Sequence, residues 1–240
     1  MSRLLGCGRI PIVVVVVSAV FVGLLYVVGL THPPARPAVG TDRLGPENGQ
    51  LVEEYLSQSS ASLAGARAGA RWALVSLRAG LDDEAAWAVT SGTMRSQVAF
   101  HVAVPQVATP TLLVPVTDIR RSLDLARGQA VSDAQADAVS ANPSTAGDRP
   151  APAPDPDTAR SAAIARLVVR RLSGDCACVV ALVVRGLPST LRQLAARPQV
   201  RAVEVLPADA AGGRFAVVPL LPETTGRVGP SVDTGPVPPA

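Results

Sequence analysis

Residues 10–30 constrain this chain more than any other feature: 21 consecutive positions carry no charge. At about 1.5 Å per residue, a helix of that length spans roughly 30 Å, the thickness of a hydrocarbon core. The β-branched run at 13–17 is a poor helix former in water. In lipid every backbone amide must be satisfied within its own segment, so helix is the expected state there. Pro11 falls in the first turn, where it costs no internal hydrogen bond. Arg3 and Arg9 precede the run, and positive charge stays on the cytoplasmic side. The expectation is a single-pass protein of the cell membrane, with residues 1–9 cytoplasmic, a transmembrane helix at 10–30 and the C-terminal domain extracytoplasmic. A secretory signal would have a shorter apolar region, about 7–15 residues, followed by small residues at the cut. The sequence THPPARP at 31–37 offers no such site, so the helix reads as an uncleaved anchor. Cys7 lies before the apolar run, the wrong side for lipid attachment.

Charge takes on a different meaning once the anchor is set aside. All 22 basic residues are arginine, a usage that fits a GC-rich genome rather than a chemical need. With Arg3 and Arg9 removed, 20 arginines face 19 acids, so the ectodomain is nearly neutral and carries no nucleic-acid footprint. Only five aromatic residues lie outside the anchor, too few for a base-stacking surface.

Proline and glycine divide the remainder. Residues 31–49 read as a stalk, 130–156 as a Pro/Ala-rich linker, and 223–240 as a disordered tail. Between them lie two α/β blocks, 50–129 and 157–222. In the first, Leu51, Val52, Tyr55, Leu56, Ser59, Leu63 and Ala66 recur at helical spacing. A strand follows at 72–78, then a helix at 81–91 with Asp82, Asp83 and Glu84 at its positive end. A strand at 97–104 puts Val98, Phe100, Val102 and Val104 on one face and His101 on the other. A short strand at 111–116 follows, and its Pro115 suits a sheet edge. Thr117 then offers an N-cap for a helix to about residue 126.

The second block repeats the order. A helix from Asp157 or Thr158 to about 172 carries Ile164, Leu167, Val168 and Leu172. A strand at 176–185, a helix at 187–196 and strands at 200–206 and 215–221 complete it. Helix, strand, helix, strand, strand thus occurs twice, which suggests an internal duplication. The fold class expected is α+β: two ferredoxin-like αβαββ blocks behind the transmembrane helix, packed into one pseudo-symmetric ectodomain. Within each block the strand–helix–strand passage should leave its strands parallel, with a hairpin to the next strand.

Chemistry is sparse. Cys176-Ala177-Cys178 is the most specific local feature. On a strand the two side chains share a face, and outside the membrane a disulfide is permitted. A bond across one residue closes a small ring, which would favour easy reduction. Free buried thiols, a structural disulfide and a redox pair all remain open. A metal site needs three or four ligands, and distant His101 is the only other candidate. His32 lies in the stalk. His101 could serve a hydrolytic triad, but no G-x-S-x-G motif accompanies it, and a solvated or loosely packed strand histidine is the simpler reading. Asp82, Asp83 and Glu84 suit a helix start better than acid–base work. No phosphate loop or dinucleotide fingerprint occurs, and Gly212-Gly213 reads as a turn. Trp72 and Trp87 read as core or interface residues. No catalytic, cofactor-binding or metal residue is therefore assigned.

Residues 191–207 (LRQLAARPQVRAVEVLP) form a short helix, an Arg197-Pro198 turn and a Val-rich strand carrying Glu204. This passage resembles subtilisin-type inhibitory propeptides. The resemblance implies a ferredoxin-like module that packs on a protease or assists its folding. In that family an inhibitory tail leaves after the strand, whereas here another strand is expected after Pro207. The chain as a whole resembles single-pass membrane proteins of actinobacteria. The function expected is a non-catalytic, membrane-anchored interaction or scaffold protein of the cell envelope. It would bind an envelope protein or a second copy of itself, with no nucleic acid, small-molecule ligand or cofactor. Two alternatives are a protease-inhibitor or chaperone-like module and a thiol-redox protein using Cys176 and Cys178.

Overall fold

A computed structural model of the chain describes residues 42–140 and 155–239. The anchor at 10–30, most of the stalk and the Pro-alternating part of the expected linker lie outside the described residues. Among those that are described, no helix is long and apolar enough to cross a membrane.

The domain is α+β, built on a five-stranded antiparallel sheet. Its strands are β2 (Arg71–Leu81), β3 (Met94–His101), β4 (Thr111–Pro115), β5 (Val179–Gly186) and β6 (Val200–Val205). They lie in the order β4-β3-β5-β2-β6. The central strands are the ones with unbroken buried runs: Ala73 to Leu77, apolar but for Ser76, in β2, and Val179 to Val184 in β5. Such runs fit strands covered on both faces.

Here the expected pairing is corrected. β2 and β3 do not touch, nor do β5 and β6. β5 lies between the first two and β2 between the second two, always antiparallel. The members of each pair therefore run parallel to one another with a strand inserted. The two expected ferredoxin-like blocks are not two units. Each contributes one strand–helix–strand passage to a single sheet with the ferredoxin-like strand order, extended by β4. Interleaving gives both β2 and β5 two hydrogen-bonded neighbours, which neither block could supply alone.

One face of the sheet is covered by helices. α2 (Asp83–Val89) and α5 (Pro188–Ala195) make the crossovers. α3 (Ser122–Ser140) and α4 (Pro156–Ser173) complete the layer. Leu123, Ala126, Ala130 and Ala134 of α3 and Ile164, Val168 and Leu172 of α4 share a core with Val75, Leu77, Val98, Phe100 and Leu182. α3 runs through much of the stretch expected as linker from 130 onward. Its Ala-rich sequence is a strong helix former, and alanines at helical spacing let α4 approach closely. The polar residues at 132, 133 and 137 that resembled linker are its exposed face. Asp155 starts α4 by accepting the amides of Asp157 (3.1 Å) and Thr158 (3.0 Å), with Pro156 in the first turn.

The other face is covered by irregular chain. Leu74, Ala99, Val180, Ala181 and Val183 lie under Leu44, Leu206, Phe215, Val217 and Leu221. The strand expected at 215–221 is reduced to β7 (Ala216–Val217), which pairs in parallel with β1 (Arg43–Leu44), not with β6. β6 is unavailable because α1 (Val52–Gly65) packs along it, and the Ser62 hydroxyl accepts the Val205 amide at 3.0 Å. Gly45 makes the β1–β7 contact feasible. It sits at φ +107°, and a Cβ there would lie 1.6 Å from the Val218 carbonyl oxygen.

The tail at 223–239 forms no helix or strand, yet it is pinned rather than free. Val228 donates to Gln50 O and accepts from Gly49 N (both 2.8 Å). Thr234 and Gly235 both donate to Gln106 O, at 3.1 and 2.7 Å. The Arg160 guanidinium holds the Asp233 carboxylate at 2.5 and 3.0 Å.

Candidate functional site

Three places gather chemistry: the cysteine turn, a histidine–glutamate pair, and the outer edge of the sheet.

Cys176 and Cys178 flank Ala177 in the turn that leads from α4 into β5. Their sulfurs adjoin as a disulfide, with Cα atoms 5.2 Å apart. Cys178 is buried and Cys176 half-buried. The His101 amide donates to the Cys178 carbonyl at 2.9 Å. The Ala177 carbonyl lies so close to Gly80 that a Cβ there would come within 1.9 Å of it. That approach falls where the β2–β5 register shifts, between Ser76 and Leu81.

His101 is neither the solvated nor the loosely packed strand histidine expected from its position; it is 5% exposed and has a partner at each ring nitrogen. Its Nε2 lies 2.7 Å from Glu223 Oε1, and its Nδ1 lies 3.3 Å from Thr111 Oγ1. Burial pushes the Glu223 carboxyl up, but the hydrogen bond from His101 and the nearby charges of His101 and Arg201 outweigh it and hold the group below its usual range. Arg201 also fixes the backbone around Glu223, donating to the carbonyls of Leu221 (2.9 Å), Pro222 (3.1 Å) and Thr224 (2.8 Å). Glu223 stands in the stretch expected as tail, so no local pattern links it to His101. His32 lies outside the described residues. Among the described residues, no group of His, Cys, Asp and Glu is arranged to hold a metal ion.

The three consecutive acids divide their work. Asp82 caps α2 by accepting the Ala85 amide at 2.7 Å. Asp83 meets Arg127 at 2.9 Å, and Glu84 meets Arg120 at 2.8 Å on the surface. Burial raises the Asp83 carboxyl, and Arg127 offsets this in part. Trp87 lies under the Arg95 guanidinium, 3.5 Å from ring centroid to Cζ. Trp72 packs on Phe215 at 5.8 Å. Both tryptophans are structural in this arrangement.

Glu204 sits at the edge of β6, where its Oε2 accepts the Gly45 amide (2.5 Å) and the Tyr55 hydroxyl (3.1 Å). Burial raises its carboxyl, with both donors and Arg43 opposing. Burial and the Glu204 charge push the Tyr55 phenol well above its usual range. This trio ties β1, α1 and β6 together.

β4 is the outermost strand, as Pro115 suggested. The Val116 amide donates to Ser96 O at 2.8 Å. By alternation residues 112 and 114 also face β3, and Thr111, Leu113 and Pro115 point their backbone outward. Pro115 has no amide to leave unpaired there. Residues 102–117 include no charged side chain, and Leu113, Ile119 and Leu125 are 37%, 57% and 70% exposed. Among the described residues no strand pairs with the outer side of β4, which leaves one apolar, uncharged sheet edge, and no protein-family model, curated protein or solved structure matches the chain.

Proposed function

We propose that the chain is a non-catalytic interaction module of the bacterial cell envelope, tethered by residues 10–30 with its N-terminus in the cytoplasm and its C-terminal domain outside. The observation that carries this reading is the open edge of β4. Sheet edges are ordinarily blunted by charge, proline or a covering element because they pair readily with other chains. Here the charge is missing, and exposed Leu113 lies on the edge. An extended segment of a partner adding a strand to β4 would gain backbone hydrogen bonds from Thr111 and Leu113 and apolar contact with Leu113. The partner proposed is another envelope protein.

A photo-cross-linker at Pro110, exposed just before β4, in the full chain and activated in living cells, tests this. Capture of one reproducible envelope protein is expected, and Leu113→Lys should abolish it. Capture that is unchanged by the lysine would refute an edge-pairing mode.

The protease-inhibitor reading has one observation in its favour. The propeptide-like passage forms α5 and edge strand β6 within the ferredoxin-like strand order. Against it, the chain after Leu206 folds back over the sheet instead of leaving as an inhibitory tail. Absence of inhibition of a subtilisin-type protease by the full chain would remove it. The repeated strand–helix–strand passages further support descent from a duplicated unit.

A further inference from the structure

The cysteine turn has features that edge docking does not use. We propose that Cys176 and Cys178 form a reversible dithiol–disulfide site that exchanges with thiols arriving through the groove at the C-terminal end of α4. This groove has a volume of about 520 Å³ and is lined by Arg127, Val131, Leu172, Ser173, Gly174 and Asp175. Its lining reaches Asp175, the residue before Cys176 in the chain.

The two sulfurs are unequal. Cys176 is half-buried against the helix-side core, whereas Cys178 is 7% exposed and lies within it. An incoming group can reach the first and not the second. Their proximity does not depend on the bond between them. The Cys178 carbonyl is held by the His101 amide, the next residue Val179 is paired with both Leu81 and Phe100, and the Ala177 carbonyl is packed on Gly80. A single residue separates the cysteines, so reduction opens a ring without releasing a loop. Rebonding then requires little ordering. Arg127 adds positive charge to the groove, but Asp83 shares it at 2.9 Å, so access rather than electrostatics selects Cys176.

The exchange balances as follows. A thiolate of the incoming dithiol attacks Cys176 Sγ. The electron pair of the Cys176–Cys178 bond leaves on Cys178, which takes a proton from water. A second thiolate of the substrate then attacks the substrate sulfur of the mixed disulfide and expels Cys176 as a thiolate. Two electrons pass from the substrate, which becomes a disulfide, to the cysteine pair, which becomes a dithiol. A disulfide oxidant such as glutathione disulfide reverses the sequence.

The test uses the full chain in detergent with Cys7 changed to Ser. The chain is equilibrated in glutathione buffers of graded poise, and free thiols are trapped with a maleimide and counted by mass. Two thiols should appear together and disappear on reoxidation, with the far-UV circular dichroism unchanged. Glutathione disulfide should then form a mixed disulfide on Cys176 of a Cys178→Ser variant at least roughly tenfold faster than on Cys178 of a Cys176→Ser variant, since exposure governs thiol reactivity. Repeating this with a short cystine-linked peptide separates the two sources of thiol: the faster reagent on Cys176 identifies small thiols or protein thiols as its partner class. Thiols that appear only when denaturant unfolds the chain, or equal rates at the two positions, would overturn the proposal.

Discussion

Replacing Arg95 with Met should be among the most damaging substitutions in the domain. Arg95 is 5% exposed. Its Nε donates to Thr90 Oγ1 (2.8 Å), one terminal nitrogen to the Trp87 carbonyl (2.7 Å), and the other to Asp118 (2.8 Å). Methionine keeps much of the aliphatic stem but removes these bonds, a longer one to the Thr93 carbonyl (3.5 Å), the guanidinium over Trp87 and the charge. The Trp87 carbonyl loses a partner in a part-buried site, at about 1–3 kcal/mol. Thr90 keeps its own bond to Ala86 O at 2.9 Å, so its loss is smaller. Asp118 is 44% exposed and can turn to water, so its share is discounted toward the surface range of about 0–1 kcal/mol. Loss of the cation–π contact adds about 1 kcal/mol. The expected sum is about 3 kcal/mol, or a fall of roughly 6–12 °C in Tm for a domain of this size. Urea unfolding of the full chain in detergent, followed by circular dichroism, measures it. A loss below about 1 kcal/mol would show that these bonds are no stronger than those the unfolded chain makes with water.

Three further outcomes are expected. Glu204→Gln keeps the acceptor for Gly45 and Tyr55 while removing a carboxylate whose folded-state pKa is raised by burial. A raised carboxyl contributes stability at low pH that is lost as pH climbs from the unfolded value, about 4.3, through the folded one. The variant should lose less stability than wild type between pH 4 and 8 in urea titrations, and parallel curves would contradict the assignment. Asp233, held down to about 2 chiefly by its hydrogen bonds from Arg160, works in the opposite sense. Its contribution is present above about pH 3.9 and fades as pH falls toward the folded value. Arg160→Ala should therefore speed hydrogen exchange at the Thr234 and Gly235 amides at pH 7, and unchanged protection would show that Gln106 alone holds the tail. Gly45→Ala places a methyl group against Val218 at a positive φ and should cost about 3 kcal/mol or displace β1 from β7. Thermal unfolding and protease sensitivity near residue 45 would reveal it, and a silent variant would refute the close approach.

The sequence by itself determined the kind of most local elements and little about their partners. The helices expected from Leu51 to Ala66 and at 81–91, 157–172 and 187–196, and the strands expected at 72–78, 97–104, 176–185 and 200–206, are legible from periodicity, caps and Pro or Gly boundaries because these signals are local, and the structure shifts their ends by a few residues. Pro115 marked the edge strand for the same reason. Residues 130–140 misled because an Ala-rich helix with a polar outer face has the composition of a linker, and only its packing on α4 separates the two. Strand order was decided by tertiary structure. A strand–helix–strand passage specifies direction but not whether its strands touch, and here both gaps are filled by the other block because that satisfies the central backbone amides. The partnership of His101 with Glu223, the enclosure of Arg95 and the pinning of the tail are likewise contacts between distant segments with no local signature. Cys176 and Cys178 lie between these cases. Their spacing placed the sulfurs together, but the inequality of the two thiols arises from the core that buries Cys178 and leaves Cys176 partly exposed.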